Sequence, residues 1–209
     1  MSIMEPEKKV RSGALVSRET NGPLRTYSAS IKKWTGTINL IARKDATDEV
    51  IWRRHILDSL QIVPLIPPGV TRAIDLGSGA GLPGIVVAIE RPDLHVTMIE
   101  SDRRKAAFLQ TMVATLGLRA TVLPMRIEEV DVAPAELVMA RALAPLPGLL
   151  DYAAPLLVAG GTCLFLKGRN ADAEVLAAEI AWSVVVERFP SQTEAEAVIL
   201  RISGLRRAG

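Results

Sequence analysis

The sequence contains a single cysteine, Cys163, and this scarcity excludes several kinds of site. One cysteine cannot form an internal disulfide, and it cannot build a zinc site that depends on several thiolates. We therefore expect a protein that holds no metal. Cys163 lies in the apolar stretch 162–166, which is typical of a buried strand, so we predict a core residue there.

Aromatic residues and long apolar runs are also scarce. Only 4% of residues are aromatic although 49% are hydrophobic, so the core must be mainly aliphatic. No apolar run reaches the ~20 residues that span a bilayer. Residues 1–11 are charged and lack the apolar segment of a signal peptide. We therefore predict a cytoplasmic protein with no membrane association, and the length of 209 residues suits one domain with a short appendage.

Positive charge is concentrated near the N-terminus, although the net charge is only +2. Residues 1–72 carry 12 Lys and Arg against 7 Asp and Glu, whereas residues 73–209 carry 13 against 16. This asymmetry fits a polyanionic partner, but a solvated helix surface would produce the same counts. Charge alone leaves both interpretations open.

The first 69 residues are predicted to form a helical appendage. Pro23 suits the first position of a helix capped by Asn21 or Gly22, and an apolar stripe from Leu24 to Trp34 follows at helical spacing. A second helix is predicted to begin after Thr47 and to reach about Leu60. Three prolines and a glycine at 64–69 then break the chain, so we predict a domain boundary there, with the main domain at 70–209.

Beyond residue 70, short apolar segments alternate with helical ones. This alternation predicts an α/β fold with a parallel sheet covered by helices on both faces. The last two predicted strands, 184–189 and 197–202, are separated by about seven residues, which is too short for a parallel crossover. We therefore predict a seven-stranded, Rossmann-like sheet whose last strand is antiparallel, as in class I methyltransferases.

A glycine-rich turn follows the first predicted strand. Its sequence is Asp75-Leu-Gly-Ser-Gly-Ala-Gly81, and ligands of open α/β sheets bind at this end of the strands. Glu100 ends the next strand 23 residues after Gly77, close to the ~20-residue spacing at which an acid reaches ribose hydroxyls. Glu100 could instead cap the following helix. The ribose interpretation predicts an adenosine-type ligand.

Pro83 favours one class of adenosine ligand over another. A bound pyrophosphate needs free N–H groups at a helix N-terminus, and proline removes one. S-adenosylmethionine has no phosphate, and Asp75 can attract its ammonium group. We therefore predict S-adenosylmethionine as the cofactor rather than a nicotinamide dinucleotide.

Seven motifs follow one another between residues 24 and 202. They are Trp34-x4-Asn39-Leu40, Arg54-His55-Ile56-Leu57-Asp58-Ser59, the loop 75–84, Glu100-Ser101 with Arg104-Lys105, Arg126-Ile127-Glu128, Arg141-Ala142 and Leu166-Lys167-Gly168. Together they resemble the bacterial 16S rRNA guanine-N7 methyltransferase family, once called glucose-inhibited division protein B. The resemblance implies methylation of N7 of guanine 527, in the 530 loop of 16S rRNA, within naked RNA or the 30S subunit. It also implies a class I fold and a monomer.

The resemblance and the loop together give a set of predicted site residues. Cofactor contacts are expected from Asp75, Gly77, Ser78, Gly79, Gly81, Leu82, Glu100, Ile127, Glu128 and Arg141. Phosphate contacts to RNA are expected from Arg54, Arg104, Lys105, Lys167 and Arg169, each of which could instead be a solvated charge.

Three residues are predicted to act near the reacting atoms. Arg141 is expected to orient the cofactor or guanine O6, with a salt bridge at the strand end as the alternative. His55 and Asp58 lie three residues apart on one helix face, where they line the pocket mouth or make packing hydrogen bonds.

The chemistry agrees with N7 as the acceptor. Guanine N7 carries a free lone pair, so the enzyme needs alignment more than a general base. Exocyclic amine methylation characteristically uses an Asp/Asn-Pro-Pro-aromatic turn, which residues 139–145 lack, and Cys163 is poorly placed for attack on a pyrimidine. Three alternatives stay open: a methyltransferase for a small molecule or protein, a non-catalytic RNA-binding or assembly factor, and a dinucleotide oxidoreductase.

Overall fold

The computed structural model describes residues 18–208, which contain seven strands and seven α-helical segments. The strands are β1 (Arg72–Leu76), β2 (His95–Ile99), β3 (Ala120–Leu123), β4 (Ala135–Arg141), β5 (Leu157–Lys167), β6 (Trp182–Pro190) and β7 (Val198–Arg207). The helices are α1 (Arg18–Thr35), α2 (Asp48–Val50), α3 (Asp58–Leu60), α4 (Gly84–Glu90), α5 (Arg103–Leu116), α6 (Leu146–Ala153) and α7 (Ala171–Glu179).

The seven strands form one sheet in the order β3-β2-β1-β4-β5-β7-β6. β7 runs antiparallel to both β5 and β6, whereas the other neighbours are parallel. The prediction of an antiparallel last strand is therefore confirmed. The strand order reverses between β1 and β4, and the carboxyl ends of strands at such a reversal form the usual ligand crevice.

The start of α1 differs from the prediction. The described part of the helix already includes Arg18, so Pro23 lies inside the helix and the prediction that it begins the helix is wrong. Asn21 does not cap it, because its Oδ1 accepts a hydrogen bond from Arg25 Nε one turn later (2.8 Å). Local cap signals were overridden here by packing, since Leu24 and Tyr27 on the apolar stripe are fully buried.

The second helix begins and ends where predicted but contains an unforeseen turn. Thr47 caps it by accepting from the backbone N–H of Val50, as the sequence indicated. Between α2 and α3 the chain forms a π-helical segment, Ile51–Leu57, and such segments occur frequently at functional sites. Apolar spacing does not reveal a local change from α to π.

The two faces of the sheet carry separate cores. One core lies under α1, the second helix, α4 and α5, and it joins Leu24 and Ile31 to Ile85 and Leu109. The other lies under α6 and α7 and contains Cys163, whose side chain is fully buried as predicted. Residues before and after 70 thus share one core. The predicted division into an appendage (1–69) and a main domain (70–209) stays a prediction, and residues 1–17 of the appendage lie outside the described range.

None of the helices within residues 18–208 is long and apolar enough to cross a membrane. In the same range, no group of three or more His, Cys, Asp or Glu side chains is arranged to hold a metal ion.

Candidate functional site

A cleft of about 480 Å³ opens at the carboxyl ends of β1, β2 and β4. We call it the first cleft. It brings together predicted residues that are distant in sequence. These residues are His55, Gly77, Ser78, Gly79, Leu82, Glu100, Lys105, Ile127, Glu128 and Arg141. Arg126 also lines it, an exposed cation that the sequence analysis did not single out.

The glycine loop takes a backbone path that other residues rarely adopt. Gly77, Gly79 and Gly81 have φ angles of 60°, 56° and 91°. A Cβ on Gly81 would lie 2.5 Å from Ile85 Cγ1 and 2.9 Å from Leu109 Cδ2. Gly81 therefore lies against the packed helices rather than in the lining of the first cleft.

Tyr27 supports this loop from below. Its fully buried hydroxyl donates to the carbonyl oxygen of Ala80 at 2.6 Å, and its ring stacks on Phe108 with centroids 6.4 Å apart. The hydrogen bond joins α1 to a loop 53 residues later. The sequence placed Tyr27 on the core stripe but gave no signal for this contact.

Asp75 is buried beneath the loop. Its Oδ2 accepts the backbone N–H of Gly84 at 3.2 Å, while its buried Oδ1 has no hydrogen-bond partner among the described residues. Burial raises the pKa of Asp75 to about 7. Asp75 does not line the first cleft, so its predicted contact with an ammonium group stays a prediction.

Glu100 is placed at the end of β2 by two backbone hydrogen bonds. Its Oε2 accepts from Gly79 N and its Oε1 from Asp102 N, each at 2.7 Å. The cap of α5 is Asp102, whose side chain accepts from Arg104 N and Lys105 N. Glu100 is thus not the helix cap that we weighed as the alternative, and each of its oxygens keeps a further acceptor site.

Arg141, His55 and Asp58 form one connected group. Arg141 Nη2 donates to the carbonyl oxygen of Arg54 at 2.8 Å and to His55 Nδ1 at 3.0 Å, and Arg141 Nε lies 3.4 Å from Asp58 Oδ2. Arg141 thus forms the salt bridge that we weighed as the alternative and also lines the first cleft, while its role in orienting the cofactor or guanine O6 stays a prediction.

Two buried nitrogen atoms of this group have no partner. Because Nδ1 of His55 accepts from Arg141, a neutral ring carries its proton on Nε2. Burial, followed by the charge of Arg141, lowers the pKa of His55 to about 4 and keeps the ring neutral. His55 Nε2 and Arg141 Nη1 are both buried without a hydrogen-bond partner in residues 18–208. Both residues line the first cleft, and a buried donor that the protein leaves unpaired is explained by a partner from outside the protein, such as a ligand or water.

The cations predicted to contact RNA differ in their exposure and in the ion pairs that they form within the protein. Arg54, Arg104 and Arg169 are more than half exposed and have ion-pair distances of 3.3–3.8 Å. Lys105 lines the first cleft and makes no ion pair within residues 18–208. Lys167 is only 9% exposed, and its Nζ contacts Glu174 Oε2 at 2.5 Å and the carbonyl oxygen of Ala144 at 2.9 Å. Lys167 thus already neutralises a partly buried carboxylate of the protein.

A family model described as rRNA small subunit methyltransferase G matches residues 20–199. The chain belongs to this family. It is 63% identical over 202 residues to the ribosomal RNA small subunit methyltransferase G of Acidiphilium cryptum, covering 97% of this chain and 93% of that protein. It is 47% identical to the protein of the same name from Rhodospirillum centenum, covering 93% and 88%.

A solved structure confirms the fold of this methyltransferase. A predicted O-methyltransferase from Agrobacterium tumefaciens superposes with a TM-score of 0.56 at 22% identity, covering 71% of this chain and 82% of that one. The expected class I methyltransferase architecture is therefore confirmed.

The methyltransferase also has site features that the sequence analysis missed. Ala142, directly after Arg141, has a φ angle of 51°, an uncommon conformation for a residue with a Cβ. Gln61 is 4% exposed and hydrogen-bonded to the loop between β6 and β7, about 130 residues later. Ala142 belongs to the motif Arg141-Ala142, but neither its backbone conformation nor the contacts of Gln61 follow from sequence spacing, so only the tertiary structure reveals them.

Proposed function

We propose that this chain transfers a methyl group from S-adenosylmethionine to N7 of a guanine in small-subunit rRNA, guanine 527 of the 530 loop. The observation that carries the proposal is the state of His55 beside Arg141. The one lone pair of the neutral imidazole already accepts a hydrogen bond from Arg141, and its pKa is lowered to about 4, so the ring is a weak base and poorly suited to remove a proton. Guanine N7 needs no proton removed, whereas an exocyclic amine does.

The residues of the first cleft fit the proposed cofactor. The carboxylate of Glu100 can accept from the ribose hydroxyls, and the backbone at Gly77 and Gly79 allows close approach. Leu82 and Ile127 supply apolar surface for adenine, with Glu128 beside them. When bound, S-adenosylmethionine supplies an electrophilic methyl group.

The unpaired donors give a more specific test of fit. In this proposal, Arg141 and His55 turn these buried donors toward an anionic oxygen, that of the methionine carboxylate, when the cofactor binds. The same Arg141 can instead orient guanine O6. In either case Arg141 and His55 bind and align the cofactor or the guanine, and neither residue transfers a proton. This agrees with the chemistry of guanine N7, which needs no deprotonation.

RNA is held, in this proposal, by cations of which Lys105 and Arg126 line the first cleft and Arg54 lines the adjoining second one. Arg54, Arg104, Lys105 and Arg169 are the predicted contacts, and we add Arg126. Lys167 supports the proposal less well because its charge is paired with Glu174. We further propose that the protein acts as a monomer in the cytoplasm, on free 16S rRNA or on 30S subunits.

The direct test is methyl transfer to subunits that lack the modification. The purified protein is incubated with labelled S-adenosylmethionine and either 30S subunits or free 16S rRNA. The RNA is then digested, and the methylated nucleoside and its position are identified by mass spectrometry. We expect N7-methylguanosine at one site. No incorporation would favour the non-catalytic assembly factor, and label in another nucleoside would refute N7 as the acceptor.

Calorimetry tests the cofactor assignment separately. Glu100→Gln removes an acceptor for ribose and is expected to weaken S-adenosylmethionine binding strongly. Glu129→Gln is the matched control, because Glu129 is an exposed carboxylate that does not line the first cleft. Equal affinities for both variants would refute the role of Glu100.

A further inference from the structure

A second cleft, of about 230 Å³, adjoins the first. The two share Arg141 and Ala142, at the end of β4. Its other walls include the end of β5 at Lys167, the second helix at Asp58, α7 at Glu174, and the β6–β7 loop at Thr193 and Glu194. Enzymes that modify a base in structured nucleic acid take that base into a pocket beside the cofactor, and this cleft has the position for such a pocket.

The β6–β7 loop is fixed in place by the second helix. Gln61 Oε1 accepts from Gln192 N at 2.6 Å, and Gln61 Nε2 donates to Thr193 Oγ1 at 3.2 Å. Thr193 Oγ1 also donates to Asp58 Oδ1 at 2.6 Å. This wall of the second cleft is therefore organised before any substrate arrives, which binding specificity requires.

Three carboxylates line the second cleft, and two of them are already engaged. Asp58 binds Arg141 and Thr193, as described above. Glu174 accepts from Lys167 Nζ and from the backbone N–H of Leu146 at 2.8 Å. The carboxylate of Glu194 has one distant ion pair, with Arg54 Nη2 at 3.8 Å, and its side chain is 56% exposed. Glu194 thus keeps both oxygens available as acceptors.

We propose that Glu194 recognises the acceptor guanine by accepting hydrogen bonds from its N1–H and N2 amino groups. This inference rests on the proposed function, because it assumes guanine N7 as the acceptor. A guanine in the second cleft whose N7 faces the shared wall at Arg141 and Ala142 turns its Watson–Crick edge toward the loop that carries Glu194. Adenine presents an unprotonated N1 at that edge, which a carboxylate repels, so Glu194 also rejects the other purine.

The first test compares two carboxylates of the same loop. Glu194→Gln replaces one of the two acceptor oxygens by an amide NH2 group, which opposes one of the two guanine donors. We expect kcat/KM for the rRNA substrate to fall about 10- to 100-fold, as for loss of a bidentate base contact. Glu196→Gln is the control, because Glu196 is 68% exposed, has a similar ion pair of 3.8 Å with Arg169, and lies outside the second cleft. It should change kcat/KM by less than about twofold.

The second test changes the base. Small-subunit rRNA is prepared with inosine in place of the guanine that the wild-type protein methylates, which removes the N2 amino group and keeps N7. The wild type should lose about fivefold or more in kcat/KM, whereas Glu194→Gln should no longer distinguish the two bases.

Two results would overturn the role of Glu194: equal behaviour of the Glu194 and Glu196 variants, or an undiminished preference for guanine over inosine in Glu194→Gln. Failure of the proposed function is seen separately in the same assay. In that case the wild type itself would place no methyl group on guanine N7, and the inference would fall with it.

Discussion

Removing one hydroxyl group, by Tyr27→Phe, tests whether α1 holds the cofactor loop in its binding conformation. The hydroxyl donates to Ala80 at 2.6 Å in a fully buried setting, and phenylalanine keeps the stacking on Phe108. The substitution therefore leaves no cavity beyond one oxygen atom but leaves a buried carbonyl without this donor. Such a loss costs about 1–3 kcal/mol.

The question is whether that free energy is lost from cofactor binding or only from the stability of the fold. If the bond selects the loop conformation that binds cofactor, affinity for S-adenosylmethionine should fall by roughly 5- to 100-fold, the equivalent of that cost. Isothermal titration calorimetry measures the affinity, and urea unfolding measures the stability. Thr35→Val is the control, since Thr35 is 2% exposed and its hydroxyl also donates to a carbonyl, that of Ile31 within α1 (2.8 Å). Thr35→Val should alter stability alone. If Tyr27→Phe does the same, Tyr27 has only a structural role.

Three further predictions concern the loop and the strand ends. Burial raises the folded-state pKa of Asp75 to about 7, so the contribution of Asp75 to stability is full below its ordinary pKa of about 4 and is lost as pH rises from there to about 7, by up to ~4 kcal/mol. Urea unfolding of Asp75→Asn between pH 4 and 8 should therefore show a flatter profile than the wild type, and parallel profiles would contradict the assignment. Gly81→Ala should destabilise the protein by about 2–4 kcal/mol, through overpacking and a positive φ. Gly69→Ala is the control, because Gly69 has a φ of 81° but open space around the added Cβ, and it should cost only about 1 kcal/mol. Similar shifts of the urea-unfolding midpoint in the two variants would argue against overpacking at Gly81. Lys167→Met leaves the partly buried Glu174 without its cation, so it should lower the melting temperature and leave the salt dependence of RNA binding unchanged. A reduced salt slope would instead assign Lys167 a phosphate contact.

Most of the fold follows from local patterns in the sequence. The alternation after residue 70 and the short gap before the last strand predict the sheet, because they reflect burial and connection length. The carboxylate of Glu100 is found for the same reason, since its position at a strand end follows from the strand itself. Features that arise from hydrophobic periodicity, connection length or a position at the end of a strand can therefore be predicted without a structure.

The features that were missed have a common physical origin. The contact of Tyr27 with Ala80 and the contacts of Gln61 with the β6–β7 loop are single hydrogen bonds between distant segments. Nothing near either residue in sequence marks its partner. The helix start was mispredicted for a related reason, since a buried stripe outweighs the local signal of Pro23. Lys167 shows the same limit, because its burial beside Glu174 depends on how α7 packs.

The contact between Gln61 and the β6–β7 loop also constrains when the enzyme can become active during its own synthesis. Gln61 leaves the translating ribosome about 130 residues before Gln192 does. A nascent chain that has emerged as far as β4 already contains the glycine loop, Glu100 and Arg141 and can fold them into a cofactor-binding unit, since domains fold as they are made. The wall that carries Glu194 has no strands to hold it until β7 pairs with β5. Cofactor binding and substrate recognition would then appear at different times, so an incomplete chain would bind cofactor without being able to select a base.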